Sequence, residues 1–175
     1  MKSSDSTTRS ALHVWDEVCA AMQVRLGMPL RIVYPGRSHP YYQWFVEIES
    51  GAFRPELRYS QEELEKRLEN NNLLFFFLTS GEEREGVVLA YDDPDSSDNT
   101  LYLDTIAVKR TRQGLGRVLM DALVRYARIK EYRAIRLDTE TVNERGHELV
   151  KFYKSLGFSQ TDASEDGNIT MMLAL

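Results

Sequence analysis

An apolar strand, a basic glycine-bearing turn and an amphipathic helix follow one another directly between Leu101 and Tyr126, and this unit limits what the chain can fold into. Leu101 to Val108 reads as a strand. Lys109-Arg110-Thr111-Arg112-Gln113-Gly114-Leu115-Gly116-Arg117 turns the chain, and Leu115, Val118, Leu119, Ala122, Leu123 and Tyr126 then form one helical stripe. From Thr105 to Met120 the only charged residues are Lys109, Arg110, Arg112 and Arg117, in a chain whose formal net charge is -5. A helix start has backbone N–H groups without intrahelical partners and the positive end of the macrodipole, so it suits an anion. Gly114 and Gly116 lack Cβ atoms, so a pyrophosphate can approach the backbone there, and the flanking arginines can neutralise its oxygens. The plainer alternative is an ordinary tight turn with its arginines in water.

Two other phosphate motifs fit these residues badly. A Walker loop needs Lys followed by Ser or Thr after its last glycine, whereas Gly116 is followed by Arg117-Val118. A dinucleotide fingerprint needs a third small residue where Leu119 stands, and it normally opens the first βαβ unit, while this turn lies past the middle of the chain. ATP and NAD are thereby demoted.

With Leu101 to Val108, then Gln113-Gly114-Leu115-Gly116-Arg117, then Phe152-Tyr153-Lys154-Ser155-Leu156-Gly157-Phe158, the segment from Leu101 to Leu175 resembles the cofactor half of the GNAT acetyltransferase superfamily. The order and spacing of strand, pyrophosphate loop, long helix, strand, and helix ending in Tyr near Gly-Phe all match. Thr111 departs from the family's usual Gln or Arg, a role Arg112 can take over, and Gly146 stands where an asparagine is usual, with Asn143 one turn earlier. The resemblance implies acetyl-CoA as cosubstrate. It places the cofactor on the main chain of Ile106, Ala107 and Val108, on Arg112, Gln113, Gly114, Leu115, Gly116 and Arg117, and on Asn143. Val108 is the expected oxyanion donor. The resemblance also implies that the strands Leu101 to Val108 and Arg133 to Thr139 splay apart to admit the pantetheine arm, and a homodimer is an expectation of the same kind.

The rest of the chain fits one domain. At 175 residues, 42% hydrophobic and 28% charged, it has the composition of a single globular unit with a sizeable core. The polar residues 1–9 read as a disordered tail, and 10–175 as one domain. No signal peptide or membrane span is evident, so a cytoplasmic location is expected. The single cysteine, Cys19, cannot form an internal disulfide and lies among Val14, Val18 and Met22 at helical spacing, a core position.

Periodicity predicts a helix over Ala11 to Leu26, a short strand over Leu30 to Tyr34, a helix over Tyr41 to Phe53, and one opened by a Ser60/Glu63 capping box. Leu73 to Leu78 is apolar on both faces and reads as a buried strand in a hairpin with Gly86 to Tyr91. A strand over Ile135 to Thr139, a helix from a Thr141/Glu144 capping box to Gly157, and two closing strands complete an α+β fold: a mixed, mostly antiparallel sheet flanked by helices.

Acetyl transfer from a thioester to an amine needs a neutral nucleophile, a donor for the oxyanion and a proton for the departing thiolate. A thiol has a pKa of about 8.5 and a tyrosine about 10, so a phenol stays protonated at neutral pH and can donate to the leaving sulfur. Tyr153 is the candidate acid; its alternative is a core tyrosine bonded to a backbone carbonyl. Asp104 is the first candidate base, because an aspartate in an apolar strand needs water or a donor. Its alternative is a solvent-facing position. Glu47 and Glu49 follow, with a solvated face or attraction of a cationic amine as their other reading.

His13, His39 and His147 are too scattered for a metal site, the serines lack a Gly-x-Ser-x-Gly setting, and the acidic balance opposes nucleic-acid binding. The leading expectation is an N-acetyltransferase acting on a primary amine of a small molecule or protein. A non-catalytic acyl-CoA sensor or interaction module is the alternative. Tyr41, Tyr42, Glu47, Glu49, Phe53 and Tyr59 suit a cationic acceptor with apolar surroundings.

Overall fold

The computed structural model describes residues 3–36, 38–142, 146–164 and 167–175, with side chains from Ala11 onward. The elements are α1 Ser3–Leu26, β1 Arg31–Val33, α2 Tyr41–Ala52, α3 Gln61–Leu68, β2 Leu74–Ser80, β3 Glu83–Asp92, β4 Thr100–Val108, α4 Leu115–Ile129, β5 Ala134–Thr139, α5 Leu149–Ser155, β6 Ser159–Ala163 and β7 Ile169–Ala174. A 3-10 turn over Pro55–Leu57 links α2 to α3. The strands form one seven-stranded sheet in the order β1-β2-β3-β4-β5-β7-β6. Only β4 and β5 pair in parallel. This is the mixed, mostly antiparallel α+β fold expected.

Alternation along β2 explains why both sheet faces are covered. Leu74, Phe76 and Leu78 point into a core with α1 and α4, while Phe75 and Phe77 point into a second core with α2 and α3. Trp15 of α1 packs on Phe76 at 4.8 Å and on Tyr126 of α4 at 5.9 Å between ring centroids. In α4 the predicted stripe is buried at Leu115, Leu119, Ala122, Leu123 and Tyr126, each large aliphatic contributing roughly 2 kcal/mol. Cys19 sits in the same core with its Sγ 3.0 Å from the Leu30 carbonyl, and burial raises its thiol pKa.

Two boundaries differ from the sequence reading. Helix α1 starts at Ser3, so its backbone covers most of the residues assigned by composition to a tail. Helix α5 starts at Leu149 rather than after Thr141, because Gly146 has φ +71°, a left-handed value at which a right-handed helix cannot run through. The expected partner of Thr141, Glu144, lies outside the described residues. The Ser60/Glu63 capping box of α3 is present in both directions. Among the described residues, no helix is long and apolar enough to cross a membrane.

Candidate active site

Strands β4 and β5 pair from Thr100↔Ala134 to Leu103↔Leu137 and then part. Beyond that point Asp104 to Val108 have β3 on one side only, because β5 has left the ladder. A cleft of about 890 Å³ fills the gap, walled by β4, the first turn of α4, α5, and the end of α2 with the 3-10 turn that follows it. The splay that admits a long, narrow ligand is thus present where it was expected.

Register decides which amides face the cleft. Lys109 N–H donates to the Glu85 carbonyl at 2.8 Å, and Val108 lies opposite Gly86. Since hydrogen-bonded and non-bonded positions alternate in an antiparallel pair, the Ile106 and Val108 amides turn away from β3 into the cleft, while that of Ala107 points to β3. Ala107 therefore borders the cleft without presenting its N–H there, a correction to its expected main-chain role.

At the far end, Gly114 caps α4 with φ +75°, a conformation open to glycine at little cost. The first intrahelical bond runs from Val118 N–H to the Gly114 carbonyl, so the Leu115, Gly116 and Arg117 amides have no intrahelical acceptor. No acidic residue occupies that first turn. The four cations divide. Lys109 is tied to Glu83 at 2.8 Å, and Arg110 to the buried Glu85 at 3.0 Å. Arg112 and Arg117 have no carboxylate partner among the described residues: Arg112 Nε lies 3.4 Å from His147 Nε2, and Arg117 Nη2 donates to Ser155 Oγ at 2.7 Å. Arg112 has φ +61°, unusual for a residue with a Cβ, and borders the cleft. Gln113 is exposed and does not line the cleft, and Asn143 lies outside the described residues.

Tyr153 stands on α5 between the rings of Phe152 and Phe158, at 5.2 and 5.7 Å. Its residue is 8% exposed, and burial pushes its hydroxyl pKa up to about 12. No backbone carbonyl receives that hydroxyl among the described residues. The only sealed side-chain polar atom without a partner among them is Trp15 Nε1, so the Tyr153 oxygen keeps an opening to the cleft it lines.

The acceptor end is built around two carboxylates. Asp104 is the extra residue of a bulge, because Leu89↔Thr105 is followed directly by Ala90↔Leu103. Its side chain is 2% exposed and takes bonds from Tyr59 Oη at 3.0 Å, Tyr91 Oη at 2.5 Å, Arg67 Nε at 3.1 Å and Thr105 Oγ1 at 2.8 Å. Both oxygens are occupied, one by a guanidinium. Neither a free base nor a solvent-facing aspartate describes this group. Glu49, by contrast, is 1% exposed and among the described residues accepts only the Tyr59 N–H, at 3.3 Å. Desolvation raises its pKa to about 7, with the Tyr59 amide and Arg58 opposing. Glu47 lies away from the cleft, held by Arg84 at 2.8 Å and Lys109 at 3.6 Å.

Residues 39–158 match the family described as "Acetyltransferase (GNAT) family". The chain belongs to the GNAT acetyltransferase family. No curated protein sequence matches it. Among solved structures it is similar to the ribosomal-protein-S18-alanine N-acetyltransferase from Escherichia coli, at 21% identity and TM-score 0.63, covering 83% of this chain and 93% of that one. It is similar to a GNAT acetyltransferase from Elizabethkingia anophelis with acetyl-CoA bound, at 20% identity and TM-score 0.59, covering 83% and 98%. The third is the paia N-acetyltransferase from Thermoplasma acidophilum in complex with coenzyme A, at 18% identity and TM-score 0.59, covering 85% and 100%.

Within this GNAT domain, the open amides of α4, Arg112 and Arg117, which lack a carboxylate partner among the described residues, and the parted strands fit a pyrophosphate and its pantetheine arm. One cation escaped the sequence reading. Arg25 of α1 reaches the turn, where a Cβ on Gly114 would lie 2.5 Å from its Nη1. That contact spans about half the chain, and no local pattern carries it. Glu49, Asp138 and Glu140 also line the GNAT cleft, Asp138 held by Arg136 and Glu140 by Arg54.

Proposed function

We propose that this protein is an acetyl-CoA-dependent N-acetyltransferase that passes the acetyl group directly to a primary amine of a small molecule or protein. The observation that carries the reading is the continuous cleft from the basic Gly114 turn, past the outward Val108 amide and Tyr153, to Glu49. Acetyl-CoA supplies the acetyl group on a thioester, a carbonyl already activated toward amines.

The residues divide the work. Leu115, Gly116 and Arg117 amides with the Arg112 and Arg117 guanidinium groups hold the pyrophosphate. The Val108 N–H meets the charge that develops on the carbonyl oxygen, and being fixed in a strand it needs no reorganisation. Glu49 accepts the proton released as the amine nitrogen bonds to the carbonyl carbon, and a carboxylate with a pKa of about 7 is matched to that task. Tyr153 donates to the sulfur as the carbon–sulfur bond breaks. Its pKa of about 12 lies above that of a thiol, so it stabilises the thiolate chiefly as a hydrogen-bond donor rather than by surrendering its proton. Phe53, Tyr59 and Tyr102 beside Glu49 favour a cationic amine with apolar surroundings.

Incubating the protein with acetyl-CoA and a panel of amines, an alkyl diamine, a lysine peptide and a peptide with a free amino terminus, is expected to release CoA thiol only when an amine is present. Tight binding without thiol release across such a panel would instead support the non-catalytic acyl-CoA sensor.

A further inference from the structure

We propose that Asp104 is a positioning residue for the acceptor end of the cleft: through Tyr59 and Arg67 it fixes the backbone and the charges that orient Glu49. The inference rests on Glu49 being the group that meets the amine. The β4 bulge at Asp104 delivers its carboxylate into the α2/α3 side of the sheet, where donors arrive from four separate segments: Tyr59 before α3, Arg67 in α3, Tyr91 in β3 and Thr105 in β4.

Tyr59 is the link. Its hydroxyl is anchored on Asp104 at 3.0 Å. One side of its ring has the Arg67 guanidinium 3.7 Å from the centroid, and the Phe45 ring stacks on it at 6.0 Å with an interplanar angle of 10°. A ring held at its hydroxyl and by two neighbours leaves its own main chain little freedom. That main chain carries the N–H that reaches Glu49 at 3.3 Å. Arg58, the preceding residue, is tied to α2 by its Nε bond to the Phe53 carbonyl at 2.8 Å. Glu49 is thus set by a segment that Asp104 pins from across the sheet.

The same arrangement gives Asp104 an electrostatic hold on Glu49. The charged groups acting on Glu49 are Asp104 from β4, Arg67 from α3 and Arg58 from the segment between; Tyr59 acts on it through its main-chain N–H. Asp104 disfavours the Glu49 carboxylate, and Arg67 and Arg58 favour it. Removing Asp104 and removing Arg67 therefore act on Glu49 in opposite directions.

The test is a carboxyl-carbon NMR titration of Glu49 in wild type, Asp104→Asn and Arg67→Met, with the resonance assigned by its loss in Glu49→Gln. Asparagine keeps an oxygen that accepts the Tyr59 hydroxyl and removes only the charge, so the Glu49 midpoint is expected to fall in Asp104→Asn and to rise in Arg67→Met, each by roughly half a pH unit or more. An unchanged midpoint in either folded variant, or shifts of the same sign, would overturn the proposal, since loosened packing alone gives no such opposition. If Asp104→Asn does not fold, Tyr59→Phe, which removes only the hydroxyl anchored on Asp104, decides: the Glu49 midpoint is expected to rise as the Tyr59 N–H loosens, and an unchanged midpoint would overturn the proposal. The titration needs neither acetyl-CoA nor an amine, so its failure is separate from a failure of the acetyltransferase reading, which the thiol-release assay addresses.

Discussion

Replacing Tyr153 with phenylalanine is expected to lower kcat by about a hundredfold or more while leaving acetyl-CoA affinity within about twofold. The change deletes one oxygen from a ring that is otherwise packed between Phe152 and Phe158. That oxygen has no hydrogen-bond partner among the described residues, so removing it orphans nothing and the fold should hold. The loss falls where charge appears on sulfur, in the transition state rather than on binding. Steady-state kinetics beside calorimetry would check the split between turnover and affinity. An unchanged kcat would remove Tyr153 from the mechanism and return it to the core.

Glu49→Gln should have a comparable effect on kcat/KM and an opposite one on stability. As a base, Glu49 must be ionised, so wild-type activity should rise with pH through about 7, and the variant should lose that limb along with most of its rate. For stability, the folded pKa of about 7 is above the ordinary 4.5, so between these values the native state binds more protons than the unfolded state. Raising pH through that window therefore reduces wild-type stability, and above about 7 the full cost of the buried carboxylate is present. Glutamine escapes that cost. Glu49→Gln is expected to be more stable than wild type at pH 8 by on the order of 1–3 kcal/mol and nearly equal to it at pH 4. Denaturant melts at the two pH values, paired with a pH–rate profile, would check both halves. A variant destabilised at pH 8 would mean that Glu49 is a structural carboxylate.

The strand–turn–helix from Leu101 to Tyr126 was legible because its signals are local: an apolar run, two glycines, a cluster of cations and a helical stripe. The doubly buried β2 was legible for the same reason. The division of the cations was hidden, since Lys109 and Arg110 meet Glu83 and Glu85 only across the β3–β4 pairing. Asp104 and Glu49 show the limit most clearly. In sequence one is an aspartate in an apolar strand and the other a glutamate on a helix with charged neighbours, and nothing nearby says which is paired. A bulge, which shifts register by one residue and leaves no composition signal, brings Asp104 to Tyr59 and Arg67. Helix α5 begins later than its capping pattern predicts, because the positive φ of Gly146 interrupts that segment and a glycine alone does not declare its φ in sequence.

Every role proposed for these residues depends on the Gly114 turn and the parted strands holding acetyl-CoA. Calorimetric titration of acetyl-CoA into wild type and an Arg112→Ala, Arg117→Ala double variant, with ATP and NAD as controls, tests it most directly. Both arginines lack carboxylate partners among the described residues, so their removal should leave the fold intact. Losing two charge-assisted contacts, each worth roughly 1.5 kcal/mol or more, is expected to weaken binding by about a hundredfold. Wild type is expected to bind acetyl-CoA in the micromolar range, and ATP and NAD far more weakly. Folded wild-type protein that gives no heat with acetyl-CoA, or a double variant that binds it as tightly as wild type, would contradict this placement.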